Sequence, residues 1–140
     1  MNINNCTPIA EGTQPSFISA ENKCEHRGIN VNHHYGRHFK IDGGVFPRSY
    51  SEEKCDYLLL NDTDKRAYFI ELKGSDLEKA IEQVENTIRL LREGIVGYTI
   101  FRRIIYRSGT HDIQGSAALK WRKQHPTAII KSRVLEENIS

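Results

Sequence analysis

The sequence predicts an α/β domain with a mixed sheet flanked by helices. Three observations carry that expectation. Residues 55–62 (CDYLLLND) and 67–74 (AYFIELKG) are strand-like runs joined by the polar turn 61–66 (NDTDKR), whose Asn, Asp and Thr favour local side-chain hydrogen bonds over a ladder. An amphipathic helix opens at Ser75, directly after the second run, and a β-branched and aromatic strand at 96–108 follows it. Strands joined by a short turn pair antiparallel, whereas a strand–helix–strand unit adds a parallel neighbour by a right-handed crossover.

Composition sets the frame. The 140 residues suffice for a single domain with a real core, and 38% hydrophobic with 27% charged residues is an ordinary globular balance. No apolar run approaches the roughly 20 residues of a membrane span. The start, MNINNCTPIAEGTQPS, lacks the basic and apolar regions of a signal peptide. Cys6, Cys24 and Cys55 are an odd number at irregular spacing, which is no disulfide framework and fits a reducing cytoplasm.

The elements follow in order. Residues 1–15, rich in Asn, Thr and Pro, read as a flexible lead-in to a single domain over 16–140. The stretch 16–26 (SFISAENKCEH) reads as a short helix with Phe17, Ala20 and Cys24 on one face; Glu21 falls on that same face, unexpected for an acid. The segment 37–46 contains a strand ending at the Gly43-Gly44 turn, and 47–54 is a loop. Strands at 55–62 and 67–74 come next. In the latter, Tyr68, Ile70 and Leu72 point one way and Phe69, Glu71 and Lys73 the other.

The helix after it has Ser75 as N-cap and Glu78 completing a capping box. Leu77, Ala80, Ile81, Val84, Ile88 and Leu91 form its apolar stripe, and Gly94 ends it. After the strand 96–108 come a loop at 109–115, a helix at 116–125 stopped by Pro126, and a final strand at 127–135 with a frayed tail. The order is α-β-β-β-α-β-α-β.

The hairpin raises a chemical question. Asp56, Glu71 and Lys73 sit in apolar strands, and buried charge is costly unless it is paired or binds a metal. Paired as a hairpin, the strands bring Asp56 toward Glu71, with Lys73 on the Glu71 face. Two adjacent carboxylates repel unless a proton or a cation sits between them. A hard divalent ion such as Mg2+ suits oxygen donors and keeps waters. A neighbouring lysine can orient or deprotonate a metal-bound water and neutralise a phosphate oxygen. These three residues form a minimal machine for phosphodiester hydrolysis; the bland alternative is a local Glu71–Lys73 ion pair with Asp56 capping a loop.

Asp56 followed by Glu71-Leu72-Lys73 on consecutive strands, with an amphipathic helix immediately after, resembles the PD-(D/E)XK nuclease superfamily. That group includes many restriction endonucleases, archaeal Holliday-junction resolvases, and DNA-repair and phage-defence nucleases. The resemblance covers residues 16–106 and implies a restriction-endonuclease-like α-β-β-β-α-β core, with the last helix and strand as an addition. It implies that Asp56 and Glu71 hold Mg2+ or Mn2+ with the backbone carbonyl of Leu72, and that Lys73 is the catalytic lysine. Glu21 matches the acid that many members contribute from the first core helix, and Gln83 the polar residue that some contribute from the helix after the E-x-K. Cys55 departs from the Pro of the motif's name, at a position that varies widely in the superfamily.

The implied function is metal-dependent cleavage of DNA rather than RNA by a cytoplasmic enzyme. Working as a homodimer would let two sites act on two strands, and a protein partner is a further source of specificity. The alternative is a catalytically silent module of the same fold that binds nucleic acid or protein.

Other residues were weighed for the same surface. Residues 95–133 hold eight basic residues against one acid, Asp112. Of the eight, Arg102, Arg103, Arg107, Lys120, Arg122 and Lys123 are the candidates for phosphate contacts, set against a plain solvated basic face. Asp42 reads as turn chemistry beside glycines. Cys24, His26, His33, His34 and His38 do not match structural zinc spacing.

Overall fold

The structure, a computed structural model, describes residues 1–73, 75–108 and 114–140. It is an α/β fold with a mixed sheet and two helices. The strands are β1 (Ala10–Gly12), β2 (Ser16–Glu21), β3 (Cys24–Ile29), β4 (Gly36–Lys40), β5 (Tyr57–Asn61), β6 (Arg66–Lys73), β7 (Thr99–Tyr106), β8 (Ile129–Ser132) and β9 (Val134–Asn138). The helices are α1 (Leu77–Leu91) and α2 (Ser116–Gln124). Residues 109–113 of the loop expected after β7, Asp112 among them, lie outside the described residues.

Six strands form the main sheet in the order β1-β4-β5-β6-β7-β8, and three form a second sheet in the order β2-β3-β9. From β1 to β6 the main sheet is antiparallel; β7 joins β6, and β8 joins β7, in parallel. The helices cover one face of the main sheet, packing on Leu58, Leu60, Phe69 and Ile104. The second sheet covers the other face, over Leu59, Tyr68, Ile70, Leu72 and Ile105. Burial on both faces explains why Leu58, Leu59 and Leu60 are consecutive and all buried. The two faces expected for the strand at 67–74 are found in β6.

Helix α1 keeps its expected stripe, with Leu77, Ala80, Val84, Ile88 and Leu91 buried and Ile81 partly so. Its cap differs. Asp76, not Ser75, is the N-cap, accepting the Lys79 N–H at 3.0 Å. At the other end a 3-10 turn, Arg92–Ile95, continues the helix. Gly94 lies inside that turn, where a Cβ would fall 2.7 Å from Asn2 Oδ1.

Four expectations fail for physical reasons. The helix expected at 16–26 is the β2–β3 hairpin, turned by Asn22 and Lys23 at φ 53 and 61. Phe17 and Ser19 point inward while Ile18 and Ala20 point out, a period of two. The expected lead-in at 1–15 instead has Ile3 completely buried and β1 paired with β4. The last strand is two: β8 pairs with β7, then Arg133 at φ 63 turns the chain, and β9 pairs with β3 in the other sheet. The tail expected to fray holds Ile139 completely buried. Among the described residues no helix is long and apolar enough to cross a membrane.

Candidate functional site

The β5–β6 register sets the site. Tyr57 is opposite Ile70 and Leu58 opposite Phe69, so one further step places Asp56 opposite Glu71 on the same face. Directly opposed residues carry Cβ atoms roughly 5 Å apart. At that step a side chain takes over from the backbone ladder. Asp56 Oδ2 accepts the Leu72 N–H at 2.9 Å. The Asp56 carbonyl accepts the Ile41 N–H at 2.8 Å, so its backbone stays tied to the chain leaving β4.

Both carboxyls are buried, Asp56 at 7% exposure and Glu71 at 2%. Burial pushes the Asp56 carboxyl up to about 6; the Leu72 amide opposes that rise, Glu21 adds to it and Lys40 opposes it. Burial raises Glu71 well above the usual carboxylate range, the Asp56 charge adds to this, and Lys73 works against it. Burial thus raises both members of the pair, and each makes the charge of the other harder to hold. Glu71 Oε1 is buried with no hydrogen-bond partner. A buried acceptor left orphaned beside a second carboxyl is a position that a cation would relieve.

Two residues of the second sheet come to this end of β6. Glu21, at the end of β2 rather than on a helix, accepts from Lys40 Nζ at 2.6 Å and lies 3.9 Å from Arg48. Lys40 also sits 4.5 Å from the centre of the Tyr57 ring. Asn22, in the hairpin turn, donates from Nδ2 to the Leu72 carbonyl at 2.8 Å. The carbonyl expected to face a metal therefore already has one donor, with a second lone pair remaining. Neither Asn22 nor Lys40 was singled out from the sequence. Asn22-Lys23 between two six-residue runs is a hairpin signal in retrospect, since Asn tolerates the left-handed conformation.

Gln83 faces the same region from α1. Its Nε2 donates to the Lys54 carbonyl at 3.2 Å, and its Oε1 is buried without a partner. One turn on, Thr87 accepts the Cys55 N–H at 2.7 Å, which fixes the segment leading into Asp56. Asp42 lies 3.7 Å from Lys54 Nζ, a contact within the loop region that precedes β5. Among the described residues no group of three or more His, Cys, Asp and Glu is placed to hold a metal ion. The donor set at this site is two carboxyls and one backbone carbonyl.

The candidate phosphate contacts divide. Arg103 is a correction: it is buried, with Nε and Nη2 on Glu137 at 2.8 and 3.0 Å and Nη1 on the carbonyls of Arg102 and Thr127. All three of its nitrogens are engaged inside the protein. Arg102 holds Glu85 of α1 at 2.6 and 3.2 Å, and Trp121 Nε1 donates to the same carboxylate at 3.0 Å. Arg107, Lys120 and Lys123 are exposed, and Arg122 is half-buried. Family models, curated proteins and solved structures were all compared with this chain, and none of them matches it.

Proposed function

We propose that this protein is a metal-dependent nuclease of the PD-(D/E)XK type that hydrolyses phosphodiester bonds in DNA. The observation that carries the reading is the buried pair Asp56 and Glu71, opposed at the end of the β5–β6 ladder with Glu71 Oε1 unpartnered and Lys73 on the same face. The meander β4-β5-β6, then α1, then β7 parallel to β6, agrees with the β-β-β-α-β portion of that superfamily's core. The departure is at the start, where the β2–β3 hairpin stands in place of the first core helix.

The donor set fits Mg2+ or Mn2+, which take oxygen ligands and need few from the protein. Asp56 and Glu71 would hold the ion, with the Leu72 carbonyl as a third oxygen. When bound, such an ion polarises a phosphoryl oxygen and makes its water more acidic. The chain's own residues do the rest. The Leu72 N–H fixes one Asp56 oxygen. Lys40 offsets the combined charge of Glu21 and Asp56. Lys73 orients the water that attacks phosphorus and offsets charge on the phosphate as the ester oxygen leaves. Glu21 is the nearest further acid, and Gln83 Oε1 is a further acceptor.

The test is a nuclease assay on plasmid, linear, branched and single-stranded DNA and on RNA, in Mg2+, Mn2+ or EDTA. Metal-dependent cutting lost in Lys73→Ala is expected. Metal binding without cutting would leave a silent binding module, and neither cutting nor metal binding would overturn the site. The homodimer belongs to the same proposal and is read from the solution mass.

A further inference from the structure

We propose that the nucleic-acid backbone is gripped by Lys23, Arg107 and Arg133, which ring the carboxyl ends of β6, β7 and β8, and not by Arg102 and Arg103. This rests on the nuclease reading and assigns the substrate path for it.

The topology brings these residues together. β6, β7 and β8 run parallel and end in step, with Lys73 paired to Tyr106 and Tyr106 to Ser132. The ladder extends one step beyond the strands. Arg107 N–H donates to the Lys73 carbonyl at 3.0 Å, and Arg133 N–H to the Tyr106 carbonyl at 2.8 Å. Lys73, Arg107 and Arg133 therefore stand at the ends of three adjacent strands, which lie about 4.8 Å apart. The β2–β3 turn lies against the same ends. Cys24 Sγ is 3.7 Å from the Lys73 carbonyl, and Glu25 N–H donates to the Arg133 carbonyl at 2.9 Å. Lys23, next to Cys24 in that turn, belongs to the same rim. The Cys24 thiol feels Arg107 and Arg133 as well as Asp56 and Glu71, which puts cations and acids in one electrostatic neighbourhood.

Charge and backbone both mark the rim. Lys23, Arg107 and Arg133 are exposed, and none of them takes part in an ion pair among the described residues. Arg102 and Arg103, by contrast, are committed to Glu85 and Glu137. Lys23 and Arg133 both hold left-handed backbone, at φ 61 and 63, where Gly or Asn would be unstrained. Open α/β sheets bind ligands outside the carboxyl ends of their parallel strands. Unpaired cations around buried acids suit a polyanion that presents a phosphate to those acids.

The test is fluorescence anisotropy of a short labelled DNA duplex and its single strand, in EDTA so that nothing is cut, between about 50 and 200 mM salt. The variant is Lys23→Gly/Arg107→Ala/Arg133→Gly; glycine suits the two left-handed positions, and circular dichroism checks the fold. Lys120→Ala/Lys123→Ala, on exposed α2, is the comparison. The triple variant is expected to bind at least tenfold more weakly, with the slope of log K against log salt shallower by about 2 to 3. The α2 variant is expected to bind within twofold of wild type. Wild-type affinity in the triple variant, or a loss found only in the α2 variant, overturns the rim, as does wild type that binds neither DNA. The readout needs no cutting, so failure of catalysis and failure of this surface are seen separately.

Discussion

Asp56 occupies, with a side-chain oxygen, the place where a backbone carbonyl of β5 would have met the Leu72 N–H. The sheet is thereby opened on one side of β6 without an orphaned amide. The same substitution holds a carboxyl beside Glu71 in a buried setting. Two buried carboxyls so placed disfavour each other's charge.

Asp56→Asn should stabilise the metal-free protein at neutral pH. The new amide oxygen still accepts the Leu72 N–H, and the buried anion is gone. The sign follows from the raised Asp56 group, whose pKa climbs from 3.8 to about 6. Its ionisation disfavours the folded state, so stability falls as pH rises from about 4 through 6. Melts in EDTA should show the variant more stable by about 1–3 kcal/mol at neutral pH, with the gap closing near pH 3.5. Mn2+ should raise the melting temperature of wild type only.

Asn22→Gly removes the amide from the Leu72 carbonyl and suits the φ of 53 at that position. With the carbonyl released, the Mn2+-dependent melting shift should reach half its maximum at a severalfold lower metal concentration. An unchanged midpoint would show that Asn22 and the ion use separate lone pairs.

Arg103→Ala should cost about 3–5 kcal/mol in urea unfolding, because it leaves the half-buried Glu137 with only His26 as partner. Arg102→Ala, whose partner Glu85 is about a third exposed, should cost nearer 1 kcal/mol. Equal costs would mean that the Arg103–Glu137 pair is no more sequestered from water than the Arg102–Glu85 pair.

His38 lies buried between the sheets, bonded to Ser19 at 2.8 Å and stacked on Tyr57. Burial lowers it from 6.5 to about 4, with the His26 charge adding to the fall. The unfolded chain takes up that proton first, so stability should drop as pH falls from about 6.5 to 4, by up to ~1.4 kcal/mol per pH unit. Glu137, held down to about 2 by His26 and Arg103 despite its burial, extends the loss below the ordinary carboxylate range. Urea midpoints across that range should decline less steeply in His38→Gln.

The legibility of this sequence depended on what faces inward. β5, β6 and α1 were readable because their buried positions are apolar and their turn and cap residues are local. The β2–β3 hairpin was not, because Ser19 and His26 take inward places, where each bonds a residue of a distant strand, His38 and Glu137. What remained visible, Phe17, Ala20 and Cys24, happened to fall at helical spacing. β9 was hidden for the same reason: its Glu137 points inward and is matched by Arg103, 34 residues away. Asp56, Glu71 and Lys73 were legible as a group because a short turn fixes their register. Asn22 and Lys40 were not, because Asn22 reaches Leu72 only through the packing of the second sheet and Lys40 is set beside Tyr57 by the β4–β5 pairing.

The pairing of β3 with β9 also has a temporal meaning. Residues near position 27 must wait for residues near position 136 before their sheet can close. Contacts of such wide sequence separation form late, since the entropy of closing the loop precedes any reward. The β5–β6 hairpin and its acid pair can form long before then. The turn that seats Asn22 on Leu72 and brings Lys23 to the rim is thus among the last pieces to lock. A chain interrupted before β9 would carry the two acids without the hairpin seated on the neighbouring Leu72 carbonyl.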